Sequence, residues 1–220
     1  MINSLQLNGF KSIVSDYLEF DSLNLLTGIN SSGKSSIIQA LLMLNKANTN
    51  EQNFLLNGHG SLDELRNNYV DKMSLSANFS NNQSITIENE KVVEKSSNEF
   101  PKIIYIAADR FGPETTLPIF VGNNYNIGSK GENILKVIEH YERELVPNEV
   151  RHEKSQGDAF ILNLTAWMGE ISPIKDFGRN IQSLIDSSYT TFDGYRAKNV
   201  GFGLSYVLPV ITTLLLGAIQ

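Results

Sequence analysis

Apolar and polar residues alternate from the first positions of the chain, at Ile2, Leu5 and Leu7 and again at Tyr17, Leu18 and Phe20. With Asn8-Gly9 and Ser15-Asp16 as turn signals, this pattern predicts a pair of strands. Residues 23–26 read as a short buried strand that runs into Thr27-Gly28. After Gly33 the period changes, and Ile37, Ile38, Leu41, Leu42 and Leu44 fall at helical spacing. A polar, Asn- and Gly-rich loop is expected over 48–68. Residues 73–79 and 84–93 alternate like an antiparallel hairpin with Asn81-Asn82 near its turn. Past a polar break at 95–101, the apolar run 103–108 ends on Asp109-Arg110 and predicts a buried strand of a mixed sheet. Beyond Pro113, helices are expected over 132–145 and 159–171, stopped by Pro147 and Pro173. Trp167 falls on the apolar face of the second and reads as core. A last loop, 199–203, precedes an apolar helix from about Leu204 to the end.

The expected class is therefore α/β, with a mixed sheet and an antiparallel β subdomain in 1–110, a mainly helical insertion in 111–198, and a loop and helix in 199–220. At 220 residues, 41% hydrophobic and 19% charged, the chain suffices for one sizeable core, or one core with a smaller lobe. The net charge of −6 denies it the overall positive field of non-specific nucleic-acid binding, while leaving room for a local basic patch. It has no cysteine, so disulfides, thiolate metal sites and a cysteine nucleophile are excluded within it. The start lacks the basic and apolar regions of a signal peptide. The longest apolar stretch, 206–219, is short for a bilayer and contains Pro209, so the reading is cytoplasmic with no membrane partner.

Chemistry concentrates at Gly28-Ile-Asn30-Ser31-Ser32-Gly33-Lys34-Ser35, which matches G-x-x-x-x-G-K-[ST] without a mismatch. Glycines let such a backbone curl so that successive N–H groups converge on phosphate, with a helix N-terminus behind them. Lys34 is expected on the β- and γ-phosphates, the Ser35 hydroxyl on Mg²⁺, and Ser36 in the first turn beside them. A chance match in a chain of this length is roughly one in a hundred, and the flanking strand and helix make it rarer still. The bare alternative is a serine-rich capping turn without ligand.

Leu7-Asn-Gly-Phe10-Lys11-Ser12, followed by 23–39 with its glycine loop, resembles the start of an SMC/RecF-like ABC ATPase head. Tyr105-Ile-Ala-Ala-Asp109-Arg110-Phe-Gly-Pro113 and Asn199-Val-Gly201-Phe-Gly203-Leu-Ser205-Tyr206 resemble segments of the OLD-type predicted AAA/ABC ATPases. The resemblance implies a P-loop NTPase fold, ATP and Mg²⁺ as ligands, and a nucleotide contact for Lys11, whose alternative is a solvated turn lysine. It also implies that Gly201, Gly203 and Ser205 occupy the place of the ABC signature, serving a nucleotide bound in trans in an ATP-dependent homodimer. Tyr206 departs from the more familiar Gln there. DNA, or a partner protein in repair or phage defence, follows by analogy alone.

Asp109 has three readings: an auxiliary group beside the site, a Walker B carboxylate holding Mg²⁺ through water, or a structural ion pair. Arg110 follows it where ABC enzymes carry the water-activating Glu, so Asp109 and Arg110 are the only catalytic candidates. Gln39 reads as structural rather than as a water-positioning glutamine. His59, His140 and His152 show no ligand spacing. Since an ABC head continues past the signature helix into a strand ending in Asp-Glu, the expectation is the front part of such a head, with weak or no turnover of its own. The alternatives are a complete small P-loop kinase or GTPase using Asp109 as its Walker B, against which no Asn-Lys-x-Asp run is found, and a non-enzymatic interaction module.

Overall fold

The computed structural model describes residues 1–96, 100–119 and 125–219. Of the polar break expected at 95–101, residues 97–99 lie outside the described residues. The chain divides into two compact units, Met1–Ile103 and Ile104–Gln220.

In the first unit, β1 (Ile2–Phe10) pairs antiparallel with β2 (Ile13–Glu19), Phe10 opposite Ile13. The turn is therefore Lys11-Ser12, and not either of the expected signals. Gly9 lies within β1 at φ +63°, where a Cβ would stand 2.9 Å from the Lys72 carbonyl oxygen and 3.0 Å from Val70 Cγ1. It marks a close approach of backbones. The expected hairpin is β3 (Ser74–Phe79) and β4 (Ser84–Glu88), with Asn82 left-handed in its turn and β5 (Lys91–Lys95) beyond. The sheet runs β2-β1-β3-β4-β5, antiparallel throughout.

Helix α1 (Lys34–Thr49) lies across that sheet. Its buried residues Ile37, Ala40, Met43, Leu44 and Ala47 recur at three- and four-residue steps, and they meet Leu5, Leu7, Leu75, Ala77, Ile85 and Ile87, which alternate along β1, β3 and β4. Each large apolar side chain buried this way contributes about 1.5–3 kcal/mol, so the helix that carries the glycine loop is held by packing on β1, β3 and β4. A short helix α2 (Leu62–Leu65) opens with a capping box between Ser61 and Glu64.

Two expected strands are not formed among the described residues. Residues 23–26 make no ladder, with Leu23 87% and Leu25 84% exposed, while Asp21 and Asn24 close a local turn through Asn24 Nδ2 to the Asp21 carbonyl at 2.7 Å. Apolar character favours a strand only where a neighbour accepts its hydrogen bonds. Residues 103–108 likewise form no strand.

In the second unit, helices α3 (Ile134–Tyr141) and α4 (Phe160–Ile171) fall where expected. The stretch expected to be mainly helical also holds β6 (Leu117–Pro118), β7 (Phe177–Gln182), β8 (Ser187–Phe192) and β9 (Tyr195–Arg196), ordered β6-β8-β7 with β9 on β8. The reason is legible in β8, whose buried positions are Ser188, Thr190 and Phe192. Two of the three are hydroxyls satisfied by the neighbouring strands, Ser188 Oγ on the Leu117 carbonyl at 3.3 Å and Thr190 Oγ1 on that of Gly178 at 2.9 Å. Asp193 (φ 50°) and Gly194 (φ 78°) link β8 to β9 in the left-handed pair of a two-residue hairpin loop.

Helix α5 (Phe202–Ile219) begins two residues before its expected start and contains Pro209. At 18 residues it is, by length and composition alone, long enough to cross a bilayer, a test that the core helix of a soluble protein also passes. Its buried residues Leu204, Leu208, Leu215 and Leu216 belong to a core with Val137, Ile138, Phe160, Leu164 and Phe192. Trp167 is more open than expected, 37% exposed, with Nε1 donating to the Val150 carbonyl at 3.1 Å and its ring set edge-on to His152.

Candidate phosphate-binding site

The glycine loop enters α1 through three left-handed backbone positions, Gly28 (φ 147°), Ser31 (φ 65°) and Gly33 (φ 95°). A side chain at Gly28 would come within 2.7 Å of Ser32 Oγ. Ser31 holds a conformation that costs a non-glycine residue free energy, and such strain gathers where backbone is shaped for a ligand. Gly33 is the buried N-cap of α1, where an added Cβ would stand 3.4 Å from the Ile13 side chain of β2 and 3.6 Å from Ser12 Oγ of the β1–β2 turn. Gly28, Asn30, Ser31, Ser32 and Ser35 are exposed, whereas Ser36 is buried.

No side chain caps α1 and its first turn carries no acidic residue. The leading N–H groups of a helix have no intrahelical acceptor and carry the positive end of its dipole, so this terminus suits an anion. Lys34 adds a full charge: its Nζ donates to the Gly28 carbonyl at 2.7 Å and the Ile29 carbonyl at 2.6 Å, with Ser32 Oγ at 3.4 Å. The donor set fits a nucleoside triphosphate with Mg²⁺. Backbone amides and Lys34 would take the phosphate oxygens, and the exposed Ser35 hydroxyl is a hard oxygen ligand for the metal.

Lys11 stands in the tight β1–β2 turn at φ 52°. Its N–H donates to the Leu65 carbonyl at 2.7 Å, and its carbonyl accepts from Asn67 Nδ2 at 2.7 Å. The side chain reaches α1, where Nζ donates to Gln39 Oε1 at 2.6 Å and lies 3.5 Å from His59 Nδ1. Burial pushes the Lys11 ammonium below the usual lysine range. His59, which shows no ligand spacing in the sequence, is brought to Lys11 by the loop that carries it. The surrounding Gly58, Gly60 and Ser61 were the available sign of a shaped loop.

The second unit gathers the remaining candidates. Asp109 and Lys130 form an exposed ion pair at 2.8 Å. The Lys130 hydrogen bond, and then its charge, hold the Asp109 carboxyl below the ordinary range, while Lys130 is raised for the same reasons. Arg110 turns the other way, Nε donating to the Tyr206 carbonyl at 2.7 Å and Nη1 to that of Ala107 at 3.3 Å, with the guanidinium 5.3 Å from the Tyr206 ring centroid. Tyr206, the odd residue of the signature-like segment, thus serves as platform for Arg110. Gly201 and Gly203 are exposed, with nothing within 4 Å of a side chain placed on either. Ser205 is 8% exposed, and its Oγ is buried without a hydrogen-bond partner among the described residues. It lines a small cavity with Lys130, Glu114 and Thr190.

The sequence model of a family described as AAA ATPase domain matches residues 1–158, a span that contains the glycine loop, Lys11, Gln39 and Asp109-Arg110. No curated protein matches the chain. Among solved structures, that of the recombination mediator protein RecF with ATP in the RecFOR pathway is similar over 97% of this chain and 79% of that one, at 13% identity and a TM-score of 0.40.

Proposed function

Because this chain belongs to the AAA ATPase domain family, we propose that it binds Mg-ATP on residues 28–35 and that a second copy closes over that nucleotide. The carrying observation is Lys34, whose ammonium sits on the carbonyls of Gly28 and Ile29 at the mouth of an uncapped helix N-terminus. Lys11, Gly28 and Gly33 complete the first copy's contribution. Gly201 and Gly203, open at the start of α5, are the surface offered to the nucleotide of the other copy. The inward Ser205 hydroxyl adds a demand to that reading: the first turn of α5 has to turn for it to take part.

A two-copy ATP cycle of this kind suits a cytoplasmic ATPase in DNA repair or phage defence, and hydrolysis belongs to the complete assembly. Asp109, paired with Lys130, is no lone carboxylate. The reading is tested by isothermal titration of Lys34→Ala and by sedimentation of Gly203→Arg with a non-hydrolysable ATP analogue. Unchanged ATP affinity in the first removes the phosphate loop. ATP-driven association that survives the second removes the trans surface.

A further inference from the structure

Lys11, Gln39 and His59 come from three separate elements, the β1–β2 turn, the second turn of α1 and the loop before α2, yet their polar ends meet. The backbone of the turn is fixed independently of the side chain. Lys11 N–H and carbonyl are both bonded to the α2 segment, and Asn67 N–H donates to the Gly9 carbonyl at 2.9 Å. Gln39 Oε1 therefore selects among the rotamers of a side chain whose root is already anchored. The same turn touches the phosphate loop, since Ser12 Oγ lies 3.6 Å from where a Gly33 Cβ would stand.

We propose that Gln39 is a positioning residue, holding the Lys11 ammonium against α1 as a second phosphate-binding cation for the site headed by Lys34. A free lysine side chain loses rotamer entropy on being fixed. A side chain held in advance loses less when it engages an anion. The groups that bear on the ammonium are Gln39 from α1, His59 from its loop and the Phe10 ring of β1 at 5.8 Å, with Asp63, Glu64 and Arg66 lining the same open cleft. Partial burial disfavours the charged form, so the Gln39 acceptor also helps keep Lys11 protonated.

The proposal rests on Mg-ATP binding at residues 28–35 and is tested separately from it. Mg-ATP affinity is measured by titration calorimetry on the protein, Gln39→Met, Lys11→Met and the double variant, across neutral to alkaline pH. Methionine keeps the length and helix preference of Gln39 and removes its acceptor. Each single change is expected to weaken Mg-ATP about tenfold, the scale of one charge-assisted hydrogen bond, and the double variant is expected to bind no worse than Lys11→Met alone. The alkaline loss of binding should also move to lower pH in Gln39→Met, which a purely structural role would not cause. Wild-type affinity in Gln39→Met, or additive losses with an unmoved alkaline limb, overturns the proposal. If Gln39→Met fails to fold, Gln39→Glu decides: its carboxylate should lower affinity and move the limb to higher pH, and an unmoved limb again overturns it. Lys34→Ala separates the two readings, because retained binding there removes the ATP site itself, whereas binding lost in Lys34→Ala and unchanged in Gln39→Met defeats the positioning role alone.

Discussion

Replacing Gly9 by alanine adds one methyl group to β1 at the position where the Lys72 carbonyl passes beneath it. The φ of +63° costs an L-residue roughly 1–2 kcal/mol. The new Cβ would also stand 2.9 Å from that carbonyl oxygen and 3.0–3.1 Å from Val70 side-chain atoms, inside the usual 3.5–4.0 Å contact of carbon atoms. Backbone has to shift to relieve it, at about 1–3 kcal/mol, offset by about 0.4–1 kcal/mol from a stiffer unfolded chain. The expected net loss is about 2–4 kcal/mol. Gly58→Ala is the control, because φ is +79° but nothing lies within 4 Å of its Cβ. It keeps the backbone cost alone, about 1 kcal/mol after the same offset. Urea unfolding followed by far-ultraviolet circular dichroism, with amide exchange at Leu5 and Leu7, reads the first unit. Fluorescence of Trp167 reports the second unit instead. Equal destabilisation by the two alanines would refute the steric argument and leave the conformational one.

Lys34→Ala should weaken Mg-ATP at least thirtyfold, on the order of 2–3 kcal/mol for charge-assisted contacts, with the thermal midpoint of α1 unfolding nearly unchanged, as calorimetry would show. Arg110→Ala should destabilise the second unit by about 1.5–3 kcal/mol through loss of a charged donor to the Tyr206 carbonyl, and retention of wild-type stability in urea would contradict that contact. The Asp109–Lys130 pair bears on pH. Asp109 is lowered, so its contribution is present above the unfolded carboxylate value near ~3.9 and disappears as pH falls through its folded value; Lys130 is raised, so its contribution holds below ~10.4 and disappears as pH rises through its folded value. Carboxyl titration by NMR in Lys130→Met should return Asp109 to the ordinary range.

The parts of the fold that show in the sequence are those whose cause is local. The glycine loop is visible because phosphate chemistry demands particular backbone freedom at fixed spacing, and α1, β3 and β4 are visible because one face of each is apolar. Strand β8 hides its inward face behind Ser188 and Thr190, whose hydroxyls are satisfied only by partners, Leu117 and Gly178, that the strand order supplies. Residues 23–26 fail in the opposite sense, being apolar but without a ladder neighbour among the described residues. At the site, Lys34 and Ser35 follow from the motif. The meeting of Lys11 with Gln39 and His59 spans 28 and 48 positions and depends on how β1, α1 and the loop pack.

Lys34 already has acceptors of its own in the Gly28 and Ile29 carbonyls. A phosphate that enters the loop is thus in competition with the loop's own peptide groups, and what it gains from the ammonium is the difference between two sets of acceptors. Neutral carbonyls lose that contest to a multiply charged anion and hold their own against a weak one. Small anions such as chloride gain little from the exchange, while a triphosphate, which offers the ammonium several charged oxygens at once, keeps a net gain after both carbonyls are given up. Selectivity for the polyanion over the salt of the cell is then a property of the loop's resting hydrogen bonds as much as of its positive charge.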